Sequence, residues 1–401
     1  MKNLVWFRND LRLHDNPALS QACAKADQVV GIYIVTFKQW EEHNDSPNKI
    51  AFWFRSLIEL QKDLHKLNIP LCILKCDTYD DCPQKILEFA SANEINNLYF
   101  NIEYPVNELK RDEQVQAVLE KMGTSCFSFH DQVIHVPGTL KTKAGTNFSV
   151  YSPFKRCWLA ELDYALLEEH AIPTIKQPVS VNQQDEYDLH SYKQSNINQD
   201  LWPVGEESIQ KMIVNFLDRK GSDYKTDRNF PGLTATSMMS PYINSGVVSS
   251  KWCLNQARAR NYDALDEGDK GLVHWISEIL WREFYRHIIY NFPRVSMGKA
   301  FQEHFEQVPW ENNQDFIEAW KHGRTGIPIV DAGMRQMIET GWMHNRLRMI
   351  VAMFLSKNLM VDWHIGEAFF MQHLIDGDIA SNNGGWPVSY THLTLPTKEG
   401  V

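Results

Sequence analysis

Nowhere in these 401 residues does an apolar run approach the roughly 18 residues that a membrane-crossing helix requires. The N-terminus has no apolar segment followed by a small-residue cleavage site, so an export signal is not expected and a cytoplasmic location is. Seven cysteines (Cys23, Cys72, Cys76, Cys82, Cys126, Cys157 and Cys253) form no C-x-x-C pair. That argues against a disulfide framework or a zinc site, and leaves Cys72, Cys76 and Cys82 as buried apolar thiols. Positive charge is short as well. A net charge of −10 argues against nucleic-acid binding driven by bulk charge, so any basic surface must be focused. No internal repeat is present, and no G-x-G-x-x-G follows the first apolar run, which excludes the usual dinucleotide fold.

What is present divides the chain in two. Residues 3–8, 29–36, 71–75 and 97–101 are short, apolar and rich in β-branched side chains, as buried strands are. Helical spacing fills the intervals at 50–67, 83–92 and 106–121. Strands alternating with helices predict an α/β domain with a doubly wound parallel sheet over 1–134, its ligands outside the carboxyl ends of the strands. Residues 135–204 dissolve into Pro, Gly, Asn, Gln and Ser, apart from an aromatic stretch at 151–158 and a helix expected near 158–169. They read as a surface connector. From 205 to 386 only helical periodicity remains, at 206–219, 241–258, 271–290, 328–340, 344–358 and 364–375, which predicts an all-α domain. Eight of the 13 tryptophans follow residue 250.

Four segments carry chemistry. In the helix over 271–290, Trp275, Glu278, Trp281, Arg282 and Tyr285 fall within about 60° of Glu278 at about 100° per residue. The other sides are apolar, so the stripe faces something polar inside the protein. It suits either a stabilising Glu–Arg pair among core tryptophans, or a flat, stackable, hydrogen-bonding ligand. In 343–350, Asn345, Arg348 and Met349 share a face and Arg346 lies to one side. In Thr236, Ser237, Met238, Met239 and Ser240, Ser240 before a proline reads as a helix cap, and the hydroxyls also suit a phosphate. In 374–386, Asp376, Gly377 and Asp378 precede Asn382 and a glycine pair. No further metal ligand stands at suitable spacing, so acceptors for ring or ribose hydrogens fit better than a metal site.

These pieces resemble the photolyase/cryptochrome family over residues 3–386, and most of all the bacterial class I cyclobutane pyrimidine dimer photolyases. Residues 6–16 (WFRNDLRLHDN) are similar to its N-terminal signature. Residues 224–231, 236–240, 275–287, 325–335, 341–349 and 376–386 match in order and spacing. The resemblance implies an N-terminal antenna domain and a helical domain holding FAD. It implies FAD contacts at Tyr224, Thr236–Ser240, Trp275, Arg348, Asp376, Gly377, Asp378 and Asn382, with Asn345 facing the redox-active ring nitrogen. Glu278, Trp281, Arg282, Tyr285, Asn345, Arg346 and Met349 would receive a flipped lesion of ultraviolet-damaged DNA, and Arg228 would touch the DNA backbone. Trp310, Trp363 and Trp386 would form a chain that re-reduces the flavin. His43, Asn107 and Glu108 match positions that hold a methenyltetrahydrofolate antenna. The implied protein is a monomer.

Two departures stand out. Ser296 and Met297 replace Cys and Lys, which leaves a deazaflavin or no antenna as alternatives. Val388 stands where the family has a second tryptophan, and 387–401 read as a tail foreign to the family. The competing readings are a cryptochrome-type blue-light receptor and a photolyase fragment unable to retain FAD.

Overall fold

The computed structural model describes residues 1–182, 186–301 and 303–386. The expectations for Val388 and for 387–401 lie outside them. The chain opens with β1 (Lys2–Phe7), α1 (Pro17–Lys25), β2 (Gln28–Val35), α2 (Phe37–Glu42), α3 (Pro47–Lys66), β3 (Leu71–Lys75), α4 (Cys82–Ala92), β4 (Asn97–Asn101), α5 (Val106–Lys121) and β5 (Ser125–Phe129). All five strands are parallel, in the order β3-β2-β1-β4-β5. Leu4 and Trp6 of β1 enter one core beneath the sheet, and Val5 and Phe7 enter the other. Burial on both faces is why these strands read as unbroken apolar runs.

The strand order reverses between β1 and β4, and the residues just past their ends are polar and buried. Asn101 Nδ2 donates to Asp10 Oδ2 at 2.6 Å and to Asn16 Oδ1 at 2.9 Å. Arg111 Nη2 bonds Glu103 Oε2 at 2.8 Å. Such a switch point opens a crevice by topology alone.

After β5 come α6 (Tyr151–Ala160), α7 (Glu206–Lys220), α8 (Tyr224–Asp227), α9 (Ser240–Asn244), α10 (Ser250–Arg260), α11 (Lys270–Asn291), α12 (Gln314–Lys321), α13 (Pro328–Thr340), α14 (Asn345–Met353), α15 (Trp363–His373) and α16 (Ile379–Gly385). No strand follows β5 among the described residues. The segment between α6 and α7 runs as a strap, its Tyr187 amide on the Ile73 carbonyl and the Trp202 indole on Thr340. Glu283 of α11 ties the two halves together: it accepts from the Ile134 and His135 amides at 3.0 and 2.9 Å and from Trp158 Nε1 at 2.7 Å.

Several local expectations fail for identifiable reasons. The helix expected near 158–169 is α6, which begins at Tyr151 and tolerates Pro153 in its first turn. The helix expected over 241–258 is broken into α9 and α10 at Gly246, whose φ is +69°. A Cβ there would lie 2.2 Å from the Asn9 carbonyl oxygen, so glycine lets this turn abut the loop after β1. Ser249 then caps α10, accepting from Lys251 and Trp252 amides. The helix expected over 344–358 leaves α geometry after Met353 and closes with a π turn over Phe354–Asn358. Strand β5 and helices α1, α12 and α16 carry too weak a pattern to be read in advance: β5 is an exposed edge, and α16 is built from Ile-Ala-Ser-Asn-Asn-Gly-Gly.

Candidate functional site

The polar stripe of α11 is real, and its members diverge. Trp275 is buried and donates Nε1–H to Ser237 Oγ at 3.2 Å. One turn on, half-exposed Glu278 pairs with the guanidinium of Arg228, and His274 Nε2 lies 3.7 Å from the same Oε1. Trp281 stacks on Tyr151 of α6, ring centres 3.7 Å apart and 12° from parallel. Tyr285 lies over Gly384 of α16, where a Cβ would come 2.4 Å from Cδ1 of its ring.

Two arginines assigned to DNA turn inward. Arg228 is buried, pairs with Glu278 and sits 5.4 Å above the Tyr224 ring, so it is not presented to solvent. Arg282 donates Nη1–H to the Gln132 carbonyl at 2.7 Å, bridging the two halves. Arg346 is held outward: its Nε and Nη2 reach Asn229 Oδ1 at 3.0 and 2.8 Å, and Nη1 lies 3.5 Å from Met349 Sδ. Asn345, first residue of α14, is exposed beside it. A continuous chain of contacts therefore runs Met349–Arg346–Asn229 and, through the adjacent Arg228, on to Glu278.

Beneath this lies a floor of paired charges. Ser240 is the first residue of α9 and not its cap; its hydroxyl donates to buried Asp376 Oδ2 at 2.5 Å. Arg348 Nη2 bonds both oxygens of Asp376, at 3.0 and 2.8 Å. Trp342 Nε1 approaches Ser240 Oγ at 3.4 Å, and Asn244 Nδ2 donates to the Asp376 carbonyl at 2.9 Å. Thr236, Ser237 and Met238 are half-buried along the rim, Met239 is buried below them, and Met238 is left-handed at φ +50°. Tyr224 is buried, and burial pushes its phenol up, with Glu278 adding to the effect.

A second pair stands beyond Gly377. Arg286 Nη1 bonds Asp378 at 2.7 and 2.8 Å, and Asp378 caps α16 through the Ser381 amide at 2.9 Å. Burial acts to raise the Asp378 carboxyl, but Arg286 and the Ser381 bonds outweigh it and hold the group well below the usual carboxylate range. The unfolded chain therefore takes up this proton first. The pair's stabilisation is complete above the ordinary carboxyl value near about 4, and is lost as pH falls from there toward the folded value. At neutral pH, Asp378→Asn should cost about 3–5 kcal/mol by leaving Arg286 buried and unpaired. Thermal melts should show the gap to wild type closing below pH of about 4; a gap that stays constant in acid would refute the assignment.

Asn382 of α16 is satisfied at both ends, donating to the Glu367 carbonyl at 3.0 Å and accepting Trp386 Nε1–H at 3.1 Å. Trp386 and Trp363 are fully buried in one apolar cluster with Trp320, and half-buried Trp310 packs at its edge.

The remaining predicted residues meet in a cavity of about 270 Å³ between the two halves, outside the ends of β1 and β4. His43, Asn107 and Glu108 line it on one side, and Gly377, Asp378 and Asn383 on the other. His43 Nε2 lies 3.1 Å from the side-chain amides of both Asn107 and Gln39, which leaves Nδ1 toward Glu108. That nitrogen is 4.0 Å from Glu108 Oε1. Burial pushes the Glu108 carboxyl up, and its Oε2 is buried without a partner, as is Asn383 Oδ1. Ser296 lines the same wall.

Residues that the sequence did not single out are Tyr151, Asn244, Arg286, Trp342 and Asn383. Arg286 came nearest to a legible signal, since it lies on α11 about 80° from Glu278, just outside the stripe.

The donor set fits FAD. Hydroxyls and backbone of 236–240 suit phosphate oxygens, Trp275 joins that rim through Ser237, and the guanidinia of Arg348 and Arg286 are each held in place by a carboxylate.

Comparison with known proteins agrees. Residues 3–177 match the family model described as DNA photolyase, and residues 275–394 match the FAD binding domain of DNA photolyase. The chain is 39% identical over 390 residues to a deoxyribodipyrimidine photo-lyase of Buchnera aphidicola, spanning 96% of this chain and 80% of that one. It is likewise 39% identical over 408 residues to the Escherichia coli deoxyribodipyrimidine photo-lyase, spanning 99% and 85%. Among solved structures, a class III photolyase of Agrobacterium tumefaciens superposes with a TM-score of 0.86 at 30% identity, covering 96% of this chain and 79% of that one. A Synechocystis cryptochrome superposes equally well, with a TM-score of 0.86 at 24% identity over 97% of this chain and 82% of its own, and shares the fold.

Proposed function

The chain belongs to the DNA photolyase family, and from that premise we propose that it splits cyclobutane pyrimidine dimers in ultraviolet-damaged DNA under blue light. The observation that carries the reading is the join between two sites. Trp275, one turn from Glu278 on α11, bonds Ser237; Ser240 of the same rim bonds Asp376, and Arg348, two residues from Arg346, holds that carboxylate, so the chain from Met349 to Glu278 and the Asp376 floor share one stretch of structure. A flat lesion entering the first would lie against a flavin seated on the second.

FAD, when bound, supplies the light-driven electron that opens the dimer and takes it back. The chain's own residues bind and orient. Glu278 offers a carboxylate to the pyrimidine edge, since Arg228 and His274 both engage Oε1 and leave Oε2 as an acceptor. Trp281, held flat by Tyr151, keeps one face for the extruded base, and Arg346 and Asn345 stand at the rim. Extrusion costs a few kcal/mol, less for a dimer whose stacking is already damaged, so part of the selectivity lies in the DNA. Trp386, Trp363 and Trp310 would pass single electrons inward toward the cofactor site, drawn finally from a thiol in solution. The protein acts as a cytoplasmic monomer.

Repair of a thymine-dimer oligonucleotide by the purified chain with reduced FAD tests this. Repair is expected in blue light and absent in the dark. Equal binding of damaged and undamaged DNA with no repair would overturn it in favour of a photoreceptor.

The interdomain cavity suits methenyltetrahydrofolate. Glu108, whose Oε2 has no partner among the described residues, would accept from the pterin N–H groups, with His43 and Asn107 holding the ring from the same wall. Glu108→Ala should abolish folate retention while leaving FAD content unchanged, measured by absorbance after reconstitution. Retention of folate by the variant would reassign the cavity.

A further inference from the structure

The His364 imidazole lies against the face of the Trp363 indole, ring centres 3.8 Å apart and planes 27° from parallel. Both of its nitrogens end on acceptors: Nδ1 is 2.7 Å from Asp362 Oδ1, and Nε2 is 3.0 Å from the Gly298 carbonyl oxygen. A neutral imidazole carries one N–H and can serve only one of two such acceptors. The ring is satisfied at both ends only as the imidazolium. Burial opposes that charge, as do the free amides of the α15 first turn. Asp362 from the cap, the Gly298 carbonyl from the loop before α12 and Glu367 from the next turn of α15 all favour it, and the balance lies above the ordinary histidine value. The side chain is 38% exposed, so it exchanges protons with solvent.

We propose that His364 is a proton-operated brake on the oxidation of Trp363. The inference rests on the reading of Trp363 as the middle member of the electron chain. A cation on the face of an indole stabilises the neutral ring and repels the same ring once it has lost an electron. In the inward sequence, oxidised Trp386 takes one electron from Trp363, which takes one from Trp310, and a thiol in solution restores Trp310; for every two electrons two thiols become one disulfide and release two protons to solvent. No bond in the protein forms or breaks. The middle transfer is uphill while His364 holds both protons, and eases when one leaves to solvent. His364 is thus a positioning residue for charge and takes no part in lesion binding.

Two measurements on the FAD-loaded protein test this. The first is the ¹⁵N-histidine NMR titration of His364, assigned by loss of its signal in His364→Gln. Both nitrogens should be protonated at pH 7, and Asp362→Asn should lower the midpoint. A neutral ring at pH 7 would overturn the proposal. The second is the rate of flavin photoreduction by external thiol against pH. Wild type should quicken about tenfold as pH rises through the NMR midpoint, equivalent to 1.4 kcal/mol on the barrier. His364→Gln should be fast and flat, and Trp363→Phe slow throughout. If Trp363→Phe is slow but His364→Gln follows the wild-type profile, the brake is refuted and the chain stands. If Trp363→Phe matches wild type, the electron chain itself fails and the brake falls with it.

Discussion

Replacing Arg348 by methionine should release FAD from the purified protein and lower its stability by about 3–5 kcal/mol, the usual cost of leaving one member of a buried ion pair alone. Asp376 has 2% of its side chain exposed, and Arg348 contacts both of its oxygens. Without the guanidinium, that carboxylate keeps, among the described residues, only the Ser240 hydroxyl as a side-chain donor. It must then either take up a proton or draw the turn at 374–378 open. Either response displaces Ser240, and with it the 236–240 rim that the cofactor's phosphates need. The double variant Arg348→Met/Asp376→Asn separates the two consequences. It removes both charges and should recover most of the stability, because no buried charge is left uncompensated. It should not recover FAD, because the rim has lost its anchor. Denaturant melts and the flavin absorbance of the purified variants report the two quantities independently. Full FAD occupancy in Arg348→Met would show that the floor is structural and not part of the cofactor site.

What could be read ahead of the structure follows from how local each signal is. Strands β1 to β4 are buried on both faces, so each appears as an apolar run whatever surrounds it. β5, Ser-Cys-Phe-Ser-Phe on an exposed edge, has no such requirement and shows no such run. Helix α16 is held by packing rather than propensity: its Gly384 admits Tyr285, and its cap is an aspartate whose charge partner lies 92 residues earlier. The stripe on α11 was legible because one helix generates it. Which way each of its members turns was not, because Arg228, 50 residues away, decides the role of Glu278, and a carbonyl in the other half captures Arg282. The antenna triad could not be derived from spacing at all. His43 and Asn107 meet across 64 residues, and only the likeness to a family proposed them together.

Exchanging Glu278 for alanine should weaken binding of dimer-containing DNA by about 30- to 150-fold, the loss of a charge-assisted hydrogen bond of about 2–3 kcal/mol. Binding of undamaged DNA should hold or improve slightly, because the protein loses a negative charge beside the opening. The sign of that second effect distinguishes recognition from general damage to the surface. Glu278 also neutralises Arg228, whose side chain is 7% exposed. In the alanine variant this guanidinium is left buried without its carboxylate, so part of the loss could come from local rearrangement. Glu278→Gln tests that contribution: it keeps an oxygen for Arg228 and a polar group for the pyrimidine edge, and removes only the charge. It should fall between wild type and alanine in lesion affinity while melting close to wild type. Competition binding with matched oligonucleotides, with and without a single dimer, gives the ratio directly. If the ratio is unchanged in both variants, Glu278 serves only to hold Arg228, and the lesion is read elsewhere in the opening.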